Sequence, residues 1–555
     1  MEIEIIEDTY PLSPMQQGML FHSLYAPRSG IDIERIVCAL HEEVDALALE
    51  RAWQRVIERH SVLRTSFRWQ GLDQPVQEVH RHIICPLEQQ DWRHLPKQEQ
   101  ESQLAIHLRR DRRRGFELSE APLIRLALFR YAEADYRLIW TFHHILLDGR
   151  SFPLLLKEVF AFYEAFCQGQ DLKLERPRPY RDYTEWLQEQ DLSKAETFWR
   201  QALKSFTNPT SLTVDRPSAY LSDVDEGEDY GVQQIWLSEA LTSALQSLAQ
   251  RNQLTLNTLL QGAWALLLSR YCGDEDVVFG ATRACRRSAL EGIGTESMVG
   301  LFINTLPLRV RVLPEEPLLV YLKELRAQSL AIREYEHTPL VKIQEWSDVP
   351  WGVPLFESIL VFENYLLNSE LQAQGGNWEN REFNLLGRTN YPLTLTAHAG
   401  ISLLLRLKYD RPRFEDATIS RMMGHLQALL QGFVADPEQR LSNIPLLTEA
   451  ERHQLLIEWN DTKSDYPQDQ CTHQRFETQA EWVPNAIAVV FEDGALTYLE
   501  LNRRANQLAH RLQALGVGPD VPVGICMERS LAMIVGILGV LKAGGAYVPL
   551  DPLLP

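Results

Sequence analysis

The residues best suited to chemistry lie in the segment Trp140–Pro153, which reads Trp-Thr-Phe-His-His-Ile-Leu-Leu-Asp-Gly-Arg-Ser-Phe-Pro. Histidine titrates near neutral pH, so His143 or His144 could take a proton from an amine or a hydroxyl group. Asp148 could orient an imidazole, or it could fix the shape of the loop through an arginine. Gly149 would let the backbone come close to a ligand. The spacing therefore predicts acid–base chemistry in a short loop.

A strand must lead into this loop. The side chains of Leu138, Trp140 and Phe142 alternate with those of the residues between them, which is typical of a mostly buried strand. If the strand continues through both histidines, His143 and His144 point to opposite faces. One imidazole can then be held in packing while the other faces an open space.

A helix must follow the loop. Asp148 and Gly149 predict a turn, Ser151 is a suitable helix cap, and Pro153 fits the first helical turn. Apolar residues then recur at helical spacing as far as Phe166. Strand, histidine pair, turn and helix are therefore predicted to form one unit.

An arbitrary histidine pair more often marks two buried residues at the end of a core strand. The whole pattern from His143 to Gly149 is more specific, because it resembles the His-His-x-x-x-Asp-Gly signature of condensation domains of nonribosomal peptide synthetases. Other segments resemble motifs of that family in the same order: Tyr10–His22, Arg59–Phe67, Tyr180–Trp186, Met298–Arg309 and, more weakly, Gly387–Leu393.

The resemblance implies roles for individual residues. His144 matches the catalytic position of the family, either as a general base or as a residue that positions the amine. His143 and Asp148 are expected to support the site structurally, and Gly149 offers a backbone N–H near the reacting carbonyl. The resemblance also makes Arg64 the expected partner of Asp148, in a buried pair that would fix the loop.

The end of the chain changes character. Leu496–Leu515 begins with Leu-Thr-Tyr-x-Glu-Leu and predicts a long amphipathic helix, and Leu541–Pro552 contains Lys-Ala-Gly-Gly-Ala-Tyr-Val-Pro-Leu-Asp. Both segments resemble the early part of amino-acid adenylation domains. The phosphate-binding loop of that family would lie further on, so this segment alone is not expected to adenylate a substrate. Whether the natural protein stops here is left open.

The resemblance implies an α/β (α+β) fold with two lobes, each like chloramphenicol acetyltransferase, in a V-shaped pseudodimer. The expected divisions are an N-lobe at 1–178, a C-lobe at 179–445, a linker at 446–470 and a truncated adenylation segment at 471–555.

The implied reaction is peptide-bond formation between a donor peptidyl or acyl thioester and an acceptor aminoacyl thioester. Both substrates would arrive on the 4'-phosphopantetheine arms of carrier domains, so no covalently bound cofactor, ATP or metal is expected. An adenylation domain would act in cis if the chain continues. The alternatives are an epimerisation-type domain that acts on a carrier-bound peptide and a non-catalytic carrier-docking module.

Composition narrows the possible classes of protein further. The chain has 555 residues, which is too long for one ordinary domain, and its net charge of −20 disfavours nucleic acid and anionic membranes as partners. It lacks the apolar run of about 18 residues that a membrane helix needs. Seven scattered cysteines without a Cys-x-x-Cys pair favour reduced thiols. With an acidic start unlike a signal peptide, these features predict a cytoplasmic protein.

One basic segment stands out in this acidic chain. Arg109–Arg114 contains five arginines and one aspartate. A solvated helix face is the simpler interpretation. Attraction to the phosphate or the acidic surface of a carrier protein is the alternative.

Overall fold

The computed structural model describes residues 6–27, 29–212, 214, 230–286, 295–364 and 366–553. It contains both helices and sheets throughout, which confirms the predicted α/β class. The chain divides into two compact units, Met1–Arg452 and His453–Pro555.

The strands of the first unit form three sheets. Their bounds are β1 (Ile6–Pro11), β2 (Ile33–Leu40), β3 (Thr65–Arg68), β4 (Val76–His80), β5 (Leu87–Asp91), β6 (Ile124–Ala132), β7 (Asp135–His143), β8 (Tyr230–Trp236), β9 (Asp276–Ala284), β10 (Ile303–Arg311), β11 (Ser358–Glu363), β12 (Arg381–Leu386), β13 (Leu393–His398) and β14 (Leu404–Asp410).

Thirteen α-helices accompany these strands in the described part of the chain, and the last of them continues a few residues past Arg452. Their bounds are α1 (Pro14–Tyr25), α2 (Ala46–Arg59), α3 (Lys97–Arg114), α4 (Ser151–Cys167), α5 (Arg181–Gln188), α6 (Leu192–Ala202), α7 (Glu239–Arg251), α8 (Leu256–Cys272), α9 (Leu318–Arg333), α10 (Leu340–Trp346), α11 (Leu367–Gln372), α12 (Asp416–Ala435) and α13 (Glu449–Leu456).

The first sheet has the order β12-β2-β7-β6-β5, and the second has the order β10-β9-β11-β13-β14-β8. A three-stranded sheet, β1-β4-β3, lies beside the first. In the first sheet only the β5–β6 pair is parallel, whereas in the second β11 runs parallel to both β9 and β13. Each large sheet thus belongs mainly to one of the two predicted lobes.

The helices of the first unit bury their apolar faces mainly in two hydrophobic cores. Helices α2 and α4 pack together on one face of the first sheet, where the rings of Trp53 and Trp140 lie 5.0 Å apart. Helix α2 begins where the Asp45 side chain accepts hydrogen bonds from two backbone N–H groups, as expected of an N-cap. In the second lobe, α8 and α12 pack together in the core that contains Trp264. The strand that carries the histidine pair is therefore anchored in a large apolar core.

One strand crosses between the predicted lobes. Strand β12 comes from the second lobe by sequence, but it pairs antiparallel with β2 of the first sheet. At its start, Arg381 is fully buried and pairs with Glu42 at 2.7 Å and with Glu164 at 3.0 Å. Backbone hydrogen bonds and a buried ionic cluster therefore join the two lobes.

The second unit contains the end of the chain. Its strands are β15 (Ile487–Phe491), β16 (Gly494–Thr497), β17 (Pro522–Cys526) and β18 (Ala546–Leu550), and its helices are α14 (Thr472–Trp482), α15 (Tyr498–Ala514) and α16 (Leu531–Lys542). Thr497 and Glu500 form a capping box at the start of the predicted amphipathic helix α15. Among the helices of the described residues, none has both the length and the apolar character that crossing a bilayer requires.

Candidate active site

The histidine pair lies where β7 ends against β2. The backbone N–H of His143 donates to the Leu123 carbonyl at 3.1 Å, and that of His144 donates to the Asp32 carbonyl at 2.7 Å. Helix α4 then begins at Ser151, with Arg150 in the N-cap position. The prediction that Ser151 caps this helix was therefore wrong by one position, because its hydroxyl is engaged by Asp148 and the second lobe.

His143 is held in packing, with only 2% of its surface exposed. Its Nδ1 accepts a hydrogen bond from the backbone N–H of Ile145 at 3.1 Å, so Nε2 carries the proton and donates to Ser23 Oγ at 3.1 Å. Burial, and secondarily the neighbouring His144, lowers the pKa of His143 to about 3. This imidazole is therefore neutral near pH 7 and supports the loop.

His144 is half-buried and has the other orientation. Its Nδ1 lies 2.6 Å from the carbonyl oxygen of Leu147. A carbonyl can only accept, so Nδ1 carries the proton in the neutral ring, and the lone pair is on Nε2. The loop itself therefore selects the tautomer that can accept a proton at Nε2.

Asp148 is buried, with 1% of its surface exposed, and pairs with Arg286 of the second lobe. Its Oδ1 accepts from Arg286 Nη2 at 2.8 Å and from the Ser151 N–H at 3.0 Å, while Oδ2 accepts from the Phe302 N–H at 3.1 Å. Its own N–H donates to the Gly300 carbonyl at 3.0 Å. Both carboxylate oxygens are thus occupied, and the loop is fastened to the second lobe.

The predicted partnership of Arg64 with Asp148 was wrong. Arg64 pairs instead with Glu7 at 2.7 Å, and its guanidinium also donates to the carbonyl of Ile57 at 3.2 Å. The reason is position, because Arg64 ends a 3₁₀ turn after α2 and points along the carbonyls beside β4. It stabilises the three-stranded sheet and not the catalytic loop.

Sequence reasoning did not single out Arg286. Its Nη1 donates to the Met298 carbonyl at 2.6 Å, and its guanidinium carbon lies 4.1 Å from the centre of the Phe302 ring. The motif Met298–Arg309 therefore provides contacts for both members of the ion pair. The available signal was an arginine two residues beyond the end of β9, the strand that precedes this motif.

Gly149 is half-buried in the turn between Asp148 and the start of α4. The next residue, Arg150, is 44% exposed along its side chain, and its guanidinium lies 3.9 Å from the Glu296 carboxylate. The turn is thus placed between the histidine pair and a segment of the second lobe. A backbone group here lies at a helix N-terminus, where the helix dipole favours negative charge.

The basic run Arg109–Arg114 forms the end of α3. Asp111 faces inward and pairs with Arg125 of β6 at 2.6 Å, whereas Arg110, Arg113 and Arg114 are exposed. These side chains line one wall of a cavity on the α3 side of the first sheet. The run Arg109–Arg114 is therefore mostly a solvated helix face.

Comparisons with known proteins identify the class. The family described as "Condensation domain" matches residues 6–456, and "AMP-binding enzyme" matches residues 476–555. The chain therefore belongs to the condensation-domain family of nonribosomal peptide synthetases, which are amide-forming acyltransferases, and it continues into the start of an adenylation domain.

Similar curated proteins are linear gramicidin synthase subunits C and D of Brevibacillus parabrevis, each 47% identical over 99% of this chain. Bacitracin synthase 3 of Bacillus licheniformis is 38% identical over 99% of the chain. The chain spans 7%, 11% and 9% of the lengths of these three relatives.

Solved structures show the same fold. The AMPPNP-bound form of the synthetase FmoA3 aligns over 99% of this chain and 56% of its own, with a TM-score of 0.74 and 20% identity. The X-domain from teicoplanin biosynthesis aligns over 79% of this chain and 97% of its own, with a TM-score of 0.66 and 22% identity.

Proposed function

We propose that this chain joins a donor peptidyl or acyl thioester to an acceptor aminoacyl thioester, with both substrates held on the phosphopantetheine arms of carrier domains. The observation that carries the proposal is the state of His144. Its ring is half-buried at the end of a core strand, and Leu147 holds Nδ1 so that Nε2 can accept a proton. An adenylation domain in cis is part of the same proposal.

The reaction needs few chemical groups because a thioester is already activated. The acceptor amine attacks the donor carbonyl, a C–N bond forms, the C–S bond breaks and the donor pantetheine leaves as a thiol. Alignment of two tethered reactants can lower the barrier by about 7–11 kcal/mol in favourable cases. His144 would accept a proton from the amine nitrogen or hold that nitrogen in place.

The charge that develops on the carbonyl oxygen also needs stabilisation. The backbone around Gly149 lies just before the N-cap position of the 17-residue helix α4. The positive end of the helix dipole favours an anion there. The ion pair between Asp148 and Arg286 would keep this backbone in position while the substrates enter and leave.

The direct test uses two separately loaded carrier domains, one with an acyl donor and one with an aminoacyl acceptor. Mass spectrometry of the acceptor carrier should show the condensed product only when this chain is present. Deuterium incorporation at the donor Cα without condensation would indicate epimerisation. Carrier binding without either product would indicate a docking module.

Gly149→Leu should leave the fold intact and reduce condensation by roughly tenfold to 10²-fold, because a bulky side chain would displace the thioester from its reactive position. Gly149→Ala tests the other possible need for glycine. A left-handed backbone would cost the alanine variant about 1 kcal/mol of stability, but Gly149 is not among the positive-φ glycines of the described residues, so we expect no such loss.

Melting temperature and carrier-to-carrier condensation should be measured for both Gly149 variants. Gly518→Leu is a control, because Gly518 lies in a loop of the second unit, has open space around its Cβ position and does not have a positive φ. Full activity in Gly149→Leu would show that this turn does not line the reaction site, and the placement of the active site would have to change.

A further inference from the structure

Two buried carboxylates lie at the start of β2, opposite the end of the strand that carries the histidines. Asp32 is 5% exposed and Glu34 is 7% exposed. Within the described residues, neither carboxylate makes a hydrogen bond or an ion pair, although most buried acids in proteins are paired. A pair of buried acids without a hydrogen bond or an ion pair therefore needs a reason.

Asp32 is placed by the catalytic loop itself. Its carbonyl accepts the backbone N–H of His144 at 2.7 Å, and its own N–H lies 3.4 Å from the Arg388 carbonyl. Its φ of +61° is unusual for a residue other than glycine. His144, Glu34 and Tyr391 are the titratable groups that interact with its carboxylate.

Glu34 lies against the segment that joins β12 to β13. Its carboxylate occupies the space that a Cβ would take at Gly387, so only glycine allows this arrangement. Lys408 of β14 donates to the Gly387 carbonyl at 2.7 Å and interacts electrostatically with Glu34. The pocket is thus built from both lobes and includes the weakly matched motif Gly387–Leu393.

The charges in this pocket do not balance. Lys408 interacts electrostatically with Glu34, Glu363 and the Arg406 guanidinium, while the Arg388 guanidinium pairs with Asp410 at 2.8 Å. Arg112 is directed to the Gly30 carbonyl at 3.3 Å. Lys408 offers Glu34 a cation, whereas the Asp32 carboxylate has no lysine or arginine partner among the described residues, and a buried carboxylate without a cation is costly. The pocket is therefore suited to a small cation.

We propose that Asp32 and Glu34 bind the α-ammonium group of the acceptor aminoacyl thioester, and that Asp32 accepts its proton before the amine attacks. This inference rests on the proposed amide-forming function and names the group that prepares the nucleophile. The acceptor must place its α-amino group beside His144 in order to react. That group is a primary ammonium cation when it is protonated, so it is the cation that the pocket would bind.

The proton transfers balance. The ammonium group gives one proton to the Asp32 carboxylate and becomes a neutral amine, which attacks the donor carbonyl. The nitrogen then loses a second proton to His144 Nε2, the C–S bond breaks, and the departing thiolate takes that proton to become a thiol. Asp32 returns its proton to solvent before the next turnover.

The environment of Asp32 suits this step. Desolvation raises its pKa to about 7, with His144 opposing the shift and Glu34 adding to it. A free α-amino group has a pKa of about 7.7–8.0. Because the two values are close, a proton can pass from the ammonium group to the carboxylate without a large energetic penalty.

Asp32→Asn tests the proposal, because asparagine keeps the shape of the side chain and tolerates a positive φ. Condensation should be slower by about tenfold or more near pH 7.5, between the two pKa values, where the Asp32 carboxylate is mostly ionised while much of the amine is still protonated. The difference should shrink towards pH 9, where the amine loses its proton unaided. Asp73→Asn, in an exposed loop, is the matched control and should match the wild type at every pH.

Two further measurements separate binding and stability from proton transfer. Glu34→Gln should raise the KM for the acceptor carrier more than it lowers kcat, because Glu34 binds the cation without taking its proton. The melting temperature of Asp32→Asn should equal or exceed that of the wild type near pH 8, since the variant removes an unpaired buried charge. If Asp32→Asn does not fold, the test depends on Glu34→Gln. The proposal is then overturned if Glu34→Gln does not raise the KM for the acceptor carrier.

Several results would overturn the inference. Unchanged rates, or the same loss at every pH, would leave Asp32 with no role or a purely structural one. Asp32→Asn should slow condensation equally with a leucyl and an ornithyl acceptor. A slower rate with the ornithyl acceptor alone would mean that the pocket binds a side-chain cation. If the wild type forms no product, the proposed amide-forming function itself fails, which is a distinct outcome.

Discussion

His144→Ala is expected to fold normally and to slow condensation by roughly 10²–10⁴-fold, the usual range for loss of an acid–base group. The ring is held through Nδ1 by the Leu147 carbonyl, so truncation removes the lone pair at Nε2 while the backbone bond to Asp32 remains. Single-turnover rates with preloaded carrier domains, together with melting temperatures, measure the effect.

A second substitution separates the two possible roles of His144. His144→Gln keeps a hydrogen-bond acceptor near the amine but cannot take a proton at neutral pH. If His144 acts as a base, the glutamine variant should be nearly as slow as the alanine variant. If it only positions the amine, much of the rate should return. His82→Ala, an exposed histidine in the same lobe, is the control.

Near-normal turnover in His144→Ala would contradict the assignment of this residue to the chemistry. The protonation of the amine would then have to be managed elsewhere in the site. His143 could not replace it, because burial keeps that ring neutral and both of its nitrogens are engaged.

Asp148→Ala is expected to destabilise the protein by about 3–5 kcal/mol, because it leaves a buried charge on Arg286 without its partner. The Arg286 side chain is only 3% exposed, so water cannot easily take the place of the carboxylate. Urea unfolding of the variant should show a lower midpoint, and poor solubility would be the extreme form of the same result.

A double-mutant cycle shows which arginine is the partner. Asp148→Asn combined with Arg286→Met should be less destabilised than the sum of the two single variants, because the stranded charge is also removed. Arg64→Met should combine additively with Asp148→Asn, since Arg64 pairs with Glu7 at 2.7 Å. A soluble Asp148→Ala protein with wild-type melting and no activity would place Asp148 in the chemistry instead.

Local interactions determined much of this protein from the sequence alone. The alternation before His143 predicted a buried strand, and helix α2 formed where Asp45 caps an amphipathic segment. The capping box that starts at Ser13 likewise begins α1. Such signals depend on residues a few positions apart, so no knowledge of the fold is needed to interpret them. The order of the motifs then sufficed to predict the family.

The tertiary structure decided which distant residues meet. Asp148 pairs with Arg286, which lies 138 positions along the chain, and no local pattern distinguishes that arginine from Arg64. The crossing of β12 to β2 brings the Gly387 segment against Glu34. Contacts between lobes depend on how two cores dock, and a single sequence shows only the periodicity of each element. The buried acids beside His144 therefore became visible only in the folded chain.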